Sequence, residues 1–218
     1  MRLIEELRQE HDLIERVAGS LRVYARALAR REALPGDAAR FLEFFRVFAG
    51  RFHHGREEDT LFVALERDAE LPASRGPIAA LLDDHHRMGR LLEDMASLAA
   101  GDTPDAVARF EDLALEYSRR LFHHIDAENS VLLPESEQRL RRQSVLELAT
   151  RAMTAEESDA RATGEALTLA WPGVHEPELL RGDGCVVCPA FGSTCRGVEH
   201  EWWNEWEWEE FEDHLPSG

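Results

Sequence analysis

Two stretches far apart in the chain carry the same polar pattern on the same kind of apolar frame: FHHGREEDTLF from Phe52 to Phe62 and FHHIDAENSVLL from Phe122 to Leu133. In each, a histidine stands four residues before a glutamate, His53 before Glu57 and His124 before Glu128. Residues four apart lie on one face of an α-helix, so each stretch aims an imidazole and a carboxylate at one point only if it is helical. Strands are excluded for both, and neighbouring segments must supply a helical surround.

The apolar residues agree with that demand. Leu3, Leu7, Ile14, Ala18, Leu21 and Leu28 recur at three- and four-residue steps, as do Phe41, Phe44, Phe45, Phe48 and Phe52, and then Phe110, Leu113, Tyr117 and Leu121. Leu34-Pro35-Gly36 breaks the first run and sets Asp37 as the next N-cap; Leu71-Pro72, Gly76-Pro77 and Gly101-Asp102-Thr103-Pro104 mark the later breaks, and Pro134 the end of the fourth helix. The pattern predicts an all-α chain. Residues 1–140 read as an up-down-up-down four-helix bundle, 141–170 as an additional helix from about Arg142 to Leu169, and 171–218 as a small irregular Cys-containing C-terminal module.

Each bundle helix carries a histidine on or beside its stripe: His11, His53, His85 and His124. Within the doublets, His124 alone has Glu128 four residues on and Leu132 after that; the same eight-residue step selects His53, Glu57 and Leu61. His54 and Glu58 are then left beside the site or on the surface. Two His/Glu pairs from facing helices, with single histidines from the others, make a core site for two iron or manganese ions. Burying so many polar groups without a cation would leave costly unpaired atoms.

RQEHDLIERV, FHHGREEDTLFVAL, PIAALLDDHHRMGRLL and FHHIDAENSVLLP, in this order, resemble the haemerythrin-like, or HHE cation-binding, family over most of residues 1–140. The resemblance implies an oxo- or hydroxo-bridged diiron centre held by His11, His53, Glu57, His85, His124 and Glu128, with the two carboxylates bridging. It departs from the oxygen carriers of the family at one point. They have a fifth histidine one turn along the third helix, where this chain has Gly89. His86 is about 100° around the helix from His85 and points elsewhere. A position on one iron is then open or water-filled, with Glu15, four residues after His11, the alternative occupant. An open position favours reaction with O2, peroxide or NO over simple oxygen carriage. Sensing of iron or oxygen, and iron storage or delivery, are the competing roles.

The net charge of −18 argues against a nucleic-acid partner. No window approaches the ~20 apolar residues of a membrane span, and MRLIEELRQEH lacks the apolar core of a secretion signal, so a cytoplasmic location is expected. Cys185, Cys188 and Cys195 with His200 offer a Cys3His set for zinc, in which His175 or His214 could replace His200. A redox pair, Cys185 with Cys188, and three unliganded thiols are the alternatives. Trp202, Trp203, Trp206, Trp208 and Phe211 alternate with acids near the end, either docking the tail on the bundle or binding a partner protein.

Overall fold

The computed structural model describes residues 1–173, and within them every regular element is helical. α1 (Arg2–Ala29) is followed by one unbroken rod made of α2 (Gly36–Phe44), the π-helical segments π1 (Phe45–His54) and π2 (Glu57–Phe62), and α3 (Val63–Ala69). α4 (Gly76–Leu98) comes next. A second rod joins α5 (Pro104–Ala127), π3 (Glu128–Leu132) and α6 (Leu133–Arg142), and α7 (Ala155–Ala170) closes the described chain. The long elements lie side by side: α1 against α5, α5 against α4, and π1 against both α4 and α1. No described helix is long and apolar enough to cross a membrane.

Three boundaries differ from the sequence expectation. The first rod begins at Gly36 behind Pro35, so Asp37 lies in the first turn, where it accepts hydrogen bonds from Arg40 and from the indole N–H of Trp171. Pro134 does not end the fourth helix. Its ring would clash with an α-helical carbonyl four residues back, but the wider turn of π3 immediately precedes it and α6 continues. The additional helix starts at Ala155 rather than near Arg142. There Thr154 accepts from the Glu157 N–H and the Glu157 carboxylate accepts from the Thr154 N–H, a reciprocal cap that fixes the start.

The interior is not one continuous apolar mass. One cluster gathers Ile14, Val17, Phe41, Phe44, Phe48, Phe52, Met88, Tyr117, Leu121 and Ile125. The other gathers Leu3, Leu7, Leu61, Leu65, Leu81, Leu132 and Leu140. On α1, α4 and the two rods the break between the two falls at polar residues: Leu7 and Ile14 flank His11, Phe52 and Leu61 flank His53, Leu81 and Met88 flank His85, and Ile125 and Leu132 lie on either side of Glu128. A polar layer is thus clamped between two apolar plugs that keep water from it. α7 packs over α1, α2 and π1, and Gly164 makes the close approach: a Cβ there would fall 2.3 Å from the Phe44 ring.

Candidate metal centre

His11, His53, Glu57, His85, His124 and Glu128 all lie in that layer, and all are buried. His11 comes from α1, His53 from π1, Glu57 from π2, His85 from α4, His124 from α5 and Glu128 from π3. The inward nitrogens converge on the two carboxylates. His53 Nε2 is 3.3 Å from Glu57 Oε1 and His85 Nε2 is 3.6 Å from Glu57 Oε2. His11 Nε2 is 3.2 Å and His124 Nε2 3.4 Å from Glu128 Oε2. Each carboxylate therefore stands between two imidazoles from different helices.

The sequence pairing leaves His54 beside the site, but the structure places it within. Its ring stacks on His85 with centroids 3.9 Å apart and planes 9° from parallel. Adjacent α-helical residues point about 100° apart, which lets only one member of a doublet face inward. A π turn spaces its hydrogen bonds one residue further and lowers that angle, so π1 presents His53 and His54 together. The hint in the sequence was the density of apolar residues in FFRVFAGRF. Phe44, Phe45, Val47, Phe48 and Ala49 are all buried, a face broader than an α-helical stripe. His86 and His123 are exposed, and Glu15 belongs to neither of the donor groups described below.

The outward nitrogens follow a rule of their own. His11 Nδ1 is 2.9 Å from Asn129 Oδ1, His53 Nδ1 2.9 Å from Glu10 Oε2, and His85 Nδ1 2.6 Å from Glu58 Oε1. His124 Nδ1 faces Asp84 Oδ2 at 3.8 Å. Every one of these partners adjoins a polar residue of the layer in sequence: Glu10 precedes His11, Asp84 precedes His85, Glu58 follows Glu57 and Asn129 follows Glu128. Each helix thus orients the imidazole of another, turning Nδ1–H outward and leaving the Nε2 lone pair for the interior. Sequence reading left Glu58 beside the site or on the surface and passed over Glu10, Asp84 and Asn129. Adjacency to a ligand candidate was the available signal. Arg56, almost fully buried, pairs in turn with Glu10 and Glu6.

The electrostatics ask for positive charge. Burial and the Glu128 charge hold the Glu57 carboxyl well above its ordinary range. Burial also raises Glu128, but the His124 charge and the His11 ring outweigh it and leave that carboxyl below its usual value. Burial drives His53 and His54 downward, so both are neutral donors. Burial of most of its surface pushes the Glu10 carboxyl up to about 7 against the pull of Arg56. Both oxygens of Glu57, both of Glu128 and Nε2 of His11 are buried without a hydrogen-bond partner among the described residues. A metal is the economical way to satisfy that many orphaned atoms at one place.

Two four-donor groups can be drawn: His54, Glu57, His85 and His124; and His11, His53, Glu57 and Glu128. Within each, the ligand atoms lie no more than 4.8 Å apart, and Glu57 belongs to both. His85 Nε2 and His124 Nε2 are 3.0 Å apart. Two ligands about 2.1 Å from one metal and at right angles would show about that separation. Imidazole with carboxylate suits iron, manganese or zinc over calcium or magnesium. Cys185, Cys188, Cys195 and His200, with the tryptophan-rich tail, lie outside the described residues.

Residues 2–136 match the family model described as the Hemerythrin HHE cation binding domain. No curated protein and no solved structure matches the chain.

Proposed function

Because the chain belongs to the haemerythrin HHE cation-binding family, we propose that its polar layer holds two iron ions within an up-down-up-down bundle of four helices and reacts there with O2, peroxide or NO. The observation that carries this reading is the sharing of Glu57 between two buried donor groups, with Glu128 placed between His11 and His124. His11 and His53 would serve one ion, His85 and His124 the other, and Glu57 with Glu128 would join them.

Bound iron would supply reversible electron transfer and an acceptor orbital for a small diatomic ligand. This chain's own residues do the rest. Asn129, Glu10, Glu58 and Asp84 orient the rings, and the two apolar clusters exclude water. The seal limits proton leakage and strengthens each electrostatic contact inside.

A Cys3His zinc site at Cys185, Cys188, Cys195 and His200 remains a proposal on sequence alone, as does partner binding through the tail. If that module reports the state of the iron, the protein acts as a sensor or an iron store instead. The deciding experiment is metal analysis of the aerobically purified chain, with its visible spectrum before and after peroxide or NO. About two irons per chain, with absorption that changes on either addition, support the reading. Zinc alone, or an intact fold that takes up no iron, overturns it.

A further inference from the structure

The third helix offers the layer a single donor. From Ile78 onward the buried side chains of α4 are Ile78, Leu81, His85, Met88, Leu92 and Met95. Gly89 is exposed, and a Cβ there would meet nothing within 4 Å. Gly89 brings no side chain to the position one turn beyond His85, and His86 is exposed. A second imidazole for that side of the site has to come from elsewhere.

His54 is placed to supply it. It is 8% exposed, its ring lies flat on His85, and its centroid is 5.7 Å from that of His124. One of its ring nitrogens lies within 4.8 Å of donor atoms of Glu57, His85 and His124. We propose that His54 is a metal ligand, the third imidazole of the position served by His85 and His124, delivered by the widened turn of π1 rather than by the third helix. The assignment rests on the two-metal reading above. It gives the π-helical segment a purpose: an α-helical turn would present His53 or His54, and the layer uses both. Rare π turns, kept at a functional layer and absent from α1 and α4, are then part of the ligand geometry.

The test compares the full-length chain with its His54→Ala, His54→Gln and His86→Ala variants, each loaded with iron under the same conditions. Iron per chain, the visible absorption spectrum and the number of imidazole scatterers per iron by X-ray absorption are read for each. His54→Gln keeps a polar side chain of similar length, and far-ultraviolet circular dichroism of the iron-free forms separates ligand loss from misfolding. The expected result is a fall to about one iron per chain in both His54 variants, with His86→Ala unchanged at about two. Helix content in the iron-free forms should match the parent. Two irons per chain in the His54 variants, with parental absorption and imidazole count, would overturn the assignment while leaving the two-metal reading intact. A parent chain that takes up no iron ends that reading, and this assignment with it.

Discussion

The two FHH stretches look interchangeable on paper and behave differently in the fold. In the first, His53 and His54 are both buried, and both belong to donor groups. In the second, His124 is buried and His123 is exposed. The backbone makes the difference. The first doublet closes a ten-residue π segment, whereas the second sits inside α5, with the π turn starting only at Glu128. Spacing in a sequence dictates which side chains share a face at a given pitch, and the pitch itself depends on how the whole layer packs.

The largest expected contrast follows directly. His124→Ala removes an inward nitrogen facing both His85 and Glu128, and should cost most of the bound iron and the thermal stability that depends on it. His123→Ala should leave iron content and melting temperature at the parental values. Glu57→Ala should likewise lose more iron than Glu58→Ala, because Glu57 sits in both donor groups. Equal losses in either pair, measured by elemental analysis, would mean the inward and outward faces are misassigned.

A subtler contrast concerns the residue after each glutamate. Glu58 reaches across to His85 and Asn129 to His11, so the two stretches perform the same task with a charged and a neutral acceptor. Charge-assisted hydrogen bonds are about twice as strong as neutral ones. Glu58→Ala is therefore expected to weaken iron binding roughly 10–100-fold, and Asn129→Ala by less. Competition with a graded series of chelators would rank them, and the reverse order would contradict the charge argument.

These cases show what a linear reading can and cannot reach. The His53/Glu57 and His124/Glu128 pairs were legible because four-residue spacing survives any modest change of pitch. The helical class was legible because the apolar steps of α1 and α5 keep their period. His54 was hidden because a strict period of 3.6 forbids two neighbours on one face, and π1 relaxes it. The start of α7 was missed for a different reason. Nothing apolar marks it, and the cap formed by Thr154 and Glu157 carries the signal.

That helix separates the two stretches again, since α7 covers π1 and makes no comparable packing against the second rod. Gly164→Ala would push a methyl into the fully buried Phe44 ring, at a cost of about 1–3 kcal/mol and a lower melting temperature. The polar layer lies further along the rod, so iron content should hold. Loss of iron in step with stability would show that α7 braces the first stretch rather than merely shielding it.

The smallest effect expected is in the tie between α7 and the first stretch. Arg151 bonds the Glu157 carboxylate through both Nη atoms, each at 2.7 Å, and lays its guanidinium 4.8 Å above the Phe52 ring, one residue before His53. The Arg151 hydrogen bonds, joined by the Thr154 N–H, hold the Glu157 carboxyl at about 2, against an ordinary value of 4.5. A carboxyl lowered on folding stabilises the native state fully above its unfolded value, and the benefit drains away as pH falls toward the folded one. The tie should therefore be intact at neutral pH and weaken between about pH 4.5 and 2. Glu157→Gln should cost roughly 1 kcal/mol at pH 7, as cap losses do, and the gap to the parent should close as pH falls from about 4.5 toward 2. Urea denaturation of both chains across that range provides the measurement. A constant gap between the curves down to pH 2 would place the acid sensitivity of α7 in some group other than Glu157.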